Sequence, residues 1–83
     1  MTTKVYELHV DAGHGWLKVP VSEVEGMTIT PYSYTDGEFV YLEEDCDLYT
    51  FAQATGITYP ENYKTIHAPG DFSDIRQLPS YKA

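Results

Sequence analysis

The stretch PYSYTDGEFVYLEEDCDLYTFAQATG, residues 31–56, decides the fold. Tyr32, Ser33 and Tyr34 suit a strand, because aromatic side chains fit a pleated, half-buried surface. Thr35-Asp36-Gly37 is the reversal, since Asp-Gly tolerates the positive φ values of a two-residue hairpin turn. Phe39 to Leu42 return as a second strand. Period-2 geometry puts Phe39 and Tyr41 on one face and Val40 and Leu42 on the other. Both faces are apolar, so this strand is expected inside a sheet, covered on both sides. Glu43, Glu44, Asp45, Cys46 and Asp47 form an acidic corner. Asp47 or Asp45 is the expected N-cap of the helix that follows. Leu48, Phe51, Ala52 and Thr55 then recur at helical spacing, and Gly56 is a natural terminator.

Outward from this centre the pattern is of short elements. Lys4 to Val10 alternates, with Tyr6, Leu8 and Val10 on one side and Val5, Glu7 and His9 on the other. This reads as a half-buried strand. Asp11-Ala12-Gly13-His14-Gly15 is a turn, and Trp16 to Val19 return as a strand that Pro20 ends. Ser22-Glu23-Val24-Glu25 has the spacing of a capping box, stopped after one turn by Gly26. Tyr63 to His67 is a further short strand. Asp71 or Ser73 caps a last helical turn carrying Phe72, Ile75 and Leu78, and Pro79 stops it. The expected architecture is α+β. A small antiparallel sheet of four or five strands carries one main helix, residues 48–55, on one face. Residues 1–83 are read as a single domain, with 79–83 as a loose tail.

Charge narrows the function. Residues 19–63 contain no Lys or Arg and nine acids: Glu23, Glu25, Asp36, Glu38, Glu43, Glu44, Asp45, Asp47 and Glu61. The rest of the chain carries four acids and five bases, for a net charge of −8. Such a field repels nucleic acid and anionic lipid and attracts basic protein surfaces. Direct nucleic-acid binding is not expected, because neutralising phosphates needs clustered Lys and Arg. No signal peptide is expected ahead of the first strand pattern, and no apolar run approaches membrane-spanning length. A single cysteine, Cys46, rules out an internal disulfide and fits a reducing cytoplasm. Four neighbouring carboxylates disfavour its reactive thiolate form.

No catalytic constellation emerges. The serines lack a nucleophile-elbow context. Gly13-His14-Gly15 lacks the third glycine and following helix of a phosphate loop. Glu43 and Glu44 would point to opposite faces of a strand, so they are not a ready acid/base pair. One set suits a metal: His9-x-Asp11-x-x-His14, two imidazoles and a carboxylate at a strand end, with His67 as a further ligand. The competing structural reading has Asp11 closing the turn and His14 packing locally.

Two segments carry a resemblance. HVDAGHGWLKVP, residues 9–20, and YSYTDGEFVYLEEDCDLYTF, residues 32–51, resemble parts of a small family of uncharacterised proteins of phages, plasmids and other mobile elements. The similarity covers about half of the chain, and no activity is carried by it residue by residue. It implies a small accessory protein acting in the host cytoplasm. Acidic proteins of that type, such as anti-CRISPR and antirestriction proteins, block nucleases or defence complexes by occupying a basic groove.

The leading expectation is therefore a non-enzymatic inhibitor with no cofactor. It would bind a basic surface of a host nucleic-acid-handling or defence complex. Its contact charges would be Asp36, Glu38, Glu43, Glu44, Asp45 and Asp47, with Tyr32 and Tyr34 as anchors, since Tyr is enriched at interface hot spots. The alternatives are a metal-binding protein using His9, Asp11 and His14, and a structural or homo-oligomeric accessory protein.

Overall fold

The computed structural model describes residues 4–81. Five strands, β1 (Tyr6–Val10), β2 (Gly15–Pro20), β3 (Tyr34–Thr35), β4 (Phe39–Glu43) and β5 (Tyr63–His67), form one sheet in the order β3-β4-β2-β1-β5. One α-helix, α1 (Asp47–Thr55), accompanies them, with 3-10 turns at Val21–Glu23 and Asp74–Gln77. The α+β architecture, the five strands and the single helix agree with the sequence reading. The sheet is mixed rather than wholly antiparallel. β5 runs parallel to β1, pairing Tyr6 with Tyr63 and Val10 with His67, whereas the other three pairings are antiparallel. The long connection from β4 through α1 makes a parallel return possible.

Alternation assigns the two faces as expected. Tyr6, Leu17, Val19, Val40 and Leu42 join Val24, Phe51 and Ile57 in the main core. Phe51 of α1 is fully buried, with its ring edge-on to Tyr6 at 5.5 Å. Trp16, Tyr41 and Ile75 form a second core on the opposite face, bordered by Tyr34, Phe39 and Leu78. β4, flanked by β3 and β2 and apolar on both sides, is thus covered on both faces. Gly56 ends α1 at φ 79°, where its N–H donates to the carbonyl of Ala52, a left-handed position that favours glycine.

Local details differ where side chains find distant partners. The β3–β4 reversal is longer than two residues. Asp36 accepts from the N–H groups of Glu38 and Phe39, and Gly37 takes φ 98°. The Ser22 capping box does not form. The turn at Val21–Glu23 has no side-chain cap, and Ser22 and Glu25 do not pair; the intervening Glu23 accepts from Lys4 and the Tyr6 hydroxyl. Ser73 does cap the last turn, accepting from the N–H of Ile75. Within the segment expected to be loose, residues 79–81 run along β3. The Thr35 N–H donates to the Pro79 carbonyl and the Tyr81 N–H to the Ser33 carbonyl, both at 2.9 Å. Residues 82–83 lie outside the described residues. No helix among the described residues is long and apolar enough to cross a membrane.

Asp47 is no N-cap. Cys46 takes that position without a side-chain bond. The Asp47 carboxylate, 2 % exposed, accepts from the Thr30 N–H at 3.1 Å, from Thr30 Oγ1 at 2.7 Å and from Ser33 Oγ. Ser33 Oγ in turn accepts from the Glu43 N–H at 2.9 Å. This buried chain bolts residues 30–33 to the start of α1 and the end of β4. Removing the carboxylate strands the buried Ser33 hydroxyl and the part-buried Thr30 donors, so Asp47→Ala is expected to cost about 2–4 kcal/mol in denaturant unfolding. Asp45→Ala, two residues away on an exposed side chain, is expected to stay within about 0.5 kcal/mol.

Candidate binding surface

The acidic residues divide into an inner and an outer set. Asp47 is buried in the network just described. Glu43 is also buried, at 8 % exposure. Its Oε2 accepts from the Asp45 N–H at 3.0 Å and its Oε1 from the Cys46 N–H at 3.1 Å. Glu43 therefore closes the turn that leads into α1, and neither Asp45 nor Asp47 takes the N-cap position expected of it. Neither Glu43 nor Asp47 is an exposed contact charge, because the local backbone and hydroxyls already hold their oxygens.

Asp36, Glu38, Glu44 and Asp45 are exposed. They do not share one corner. Asp36 and Glu38 precede β4, and Glu44 and Asp45 follow it. Six residue steps of extended chain put Glu38 and Glu44 about 20 Å apart. Asp36 is held in its loop, with its second oxygen 3.2 Å from the Tyr41 hydroxyl. Burial, followed by the Asp36 charge, pushes the Tyr41 phenol up to about 12.

Cations do little to offset these acids. Lys4 pairs with Glu23 at 2.7 Å. Lys18 lies over the Phe39 ring at 4.3 Å. Arg76 is taken up by Asp11: Nε donates at 2.6 Å and the other limb of the fork at 3.0 Å. Lys64 stands opposite Glu7 in the β1–β5 register.

Between the two strand ends at the Glu44 side lies a cavity of about 280 Å³. Trp16, Tyr32 and Tyr34 supply its aromatic wall, and Glu43 and Asp45 supply carboxylates. His14, Cys46 and Arg76 complete it. The two tyrosines expected as anchors thus meet here, Tyr32 at 66 % exposure and Tyr34 tilted against Trp16 at 6.2 Å. Trp16 and Arg76 were not among the sequence candidates. Trp16 reads as an ordinary strand residue, and Arg76 lies far along the chain in an irregular segment.

The metal set His9, Asp11 and His14 does not assemble. His9 Nε2 bonds Glu7 at 2.8 Å. Asp11 accepts the Arg76 fork and the N–H groups of Gly13, His14 and Ser73, so its oxygens are occupied. His67 is the β5 partner of Val10, at the end of that strand. Among the described residues the one grouping with metal-type donors close together is His14, Glu43 and Asp45, whose ligand atoms lie within 4.8 Å of one another. Both Glu43 oxygens in it already accept backbone bonds.

No family model, no curated protein and no solved structure matches the chain.

The Arg76 fork holds the Asp11 carboxyl far below the usual carboxylate range against the opposing effect of burial, with help from the N–H groups of Ser73, Gly13 and His14. A depressed folded-state value means that the stabilisation is complete above the unfolded value, about 3.9. It fades as pH falls below that value toward the folded one. Asp11→Asn is therefore expected to lower the melting temperature at pH 7. The gap between variant and parent should narrow in melts run progressively below about pH 4.

Proposed function

We propose that the chain is a non-enzymatic binding protein that docks its acidic surface on a basic surface of another protein. The observation that carries this reading is the arrangement around β4. Exposed carboxylates stand at both of its ends, and an aromatic-walled cavity opens at the Glu44 end. A span of about 20 Å fits within a standard interface of about 800 Å² per partner. Exposed tyrosine beside unpaired charge is the composition that supplies both anchoring and steering.

The partner class follows from chemistry. Dense positive surfaces on proteins are chiefly those that hold phosphate, so a nuclease or another nucleic-acid-handling complex is the natural target. Occupying such a groove excludes nucleic acid and inhibits the complex, in the manner of anti-CRISPR and antirestriction proteins. The resemblance of residues 9–20 and 32–51 to proteins of mobile elements supports a host defence complex as the setting.

The test is a pull-down from bacterial lysate at low and high salt, with captured proteins identified by mass. It is run beside the variant Glu38→Lys/Glu44→Lys/Asp45→Lys. Capture of nucleic-acid-processing proteins by the parent is expected, lost at high salt as the Debye length shrinks to about 3 Å at 1 M. The variant should capture none of them while melting within a few degrees of the parent, since all three side chains are exposed. Equal capture by parent and variant, or capture indifferent to salt, would overturn the reading.

A further inference from the structure

We infer that the cavity beside the acidic corner is a receptor for an arginine side chain of the basic partner. This deepens the binding reading above and rests on it. The cavity joins the two features a guanidinium recognises: aromatic surface from Tyr32 and from Tyr34, which tilts against the buried Trp16 ring, and carboxylates from Glu43 and Asp45. Aromatic faces attract a cation through their quadrupole, more strongly where water is partly excluded. Arginine is favoured over lysine because its planar group stacks on rings and offers a fork of donors to carboxylate oxygens.

Charge favours the same occupant. The one cation in the wall, Arg76, is matched by Asp11, which leaves Glu43 and Asp45 as the uncompensated charges. Glu43 spends one lone pair of each oxygen on the backbone, and an ionised carboxylate offers about four acceptor sites. Its buried oxygens are thereby fixed in place before any ligand arrives. The Asp45 carboxylate makes no hydrogen bond to another described residue. At about 280 Å³ the space lies just below the usual range for small-molecule pockets, about 300–1,000 Å³, which suits one side chain.

The chain already carries out this recognition internally. Arg76 sits 5.3 Å from the Trp16 ring centre and 5.1 Å from that of Phe72, while its fork engages Asp11. Aromatic surface plus carboxylate is thus a combination this fold uses to hold a guanidinium, and Tyr32, Glu43 and Asp45 offer the same combination in the cavity that Arg76, committed to Asp11, borders.

The experiment titrates N-acetyl-arginine amide into the full chain in the presence of EDTA, read by amide and indole NMR. Trp16 is the sole tryptophan, so its indole N–H gives one unambiguous signal. Saturable shifts are expected at that signal and at the Asp45 and Cys46 amides, with none from N-acetyl-norleucine amide. Binding of an octa-arginine peptide is measured in parallel at low salt. Asp45→Asn and Tyr32→Ala, both at exposed positions, should each weaken the peptide about tenfold with the amide spectrum otherwise preserved. Peptide binding that these variants leave unchanged, but that Glu38→Lys/Glu44→Lys abolishes, would overturn the arginine receptor and leave the acidic surface standing. Absence of peptide binding by the parent would overturn both. A Trp16 shift produced by zinc without EDTA, and by no arginine compound, would overturn the receptor in favour of a metal held by His14, Glu43 and Asp45.

Discussion

The carboxylate of Asp11 holds together the parts of the molecule that regular structure does not. Its side chain is fully covered and gathers donors from two regions of the chain. Gly13 and His14 close the β1–β2 turn upon it, while Ser73 and Arg76 reach it from the C-terminal segment. Arg76 is 65 residues away in sequence. Once it is anchored, Ile75 covers Trp16 and Tyr41, and the chain runs on to lay residues 79–81 along β3. The sheet's second face is apolar over β2 and β4 and would otherwise meet water. One charge-assisted fork therefore positions a lid of little intrinsic stability, since a single 3-10 turn has almost no cooperativity of its own.

The acidic corner shows a second use of carboxylates, on the inside. Glu43, Glu44, Asp45 and Asp47 are near neighbours in sequence and look interchangeable. Glu43 and Asp47 are turned inward by hydroxyl and backbone donors that no other group satisfies, and Glu44 and Asp45 are left to solvent. Glu43 and Asp47 still add to the field, but their oxygens are held by their own chain. What remains outside is spread along β4, which makes the negative surface elongated.

The elements themselves were legible. The alternation of Tyr6, Leu8 and Val10, the doubly apolar run from Phe39 to Leu42, and the Gly56 stop each encode local geometry, and local geometry followed. The arrangement was less so. Nothing in the period of Tyr63–His67 tells whether it lies parallel or antiparallel, because side-chain alternation is the same in both. The partners of Asp47, Thr30 and Ser33, lie 17 and 14 residues upstream, beyond the reach of capping rules. Of the candidate site, Tyr32, Tyr34, Glu43, Asp45 and His14 were legible as residue types and do converge on one cavity. Asp11 reads equally as turn closer or ligand, and only Arg76 decides between these.

The sheet order has a consequence for synthesis. β2, β4 and β3 are assembled from a continuous stretch that pairs mostly with near neighbours. β1 lies between β2 and β5, and the Asn62 amide that ties down Lys4 is 58 residues from it. A growing polypeptide would thus form most of the sheet while the outer edge of β1 still lacked its neighbour. During that interval Tyr6–Val10 offers bare backbone donors and acceptors beside an apolar face, the kind of edge that recruits another chain. Pairing of β5 along β1 closes that window.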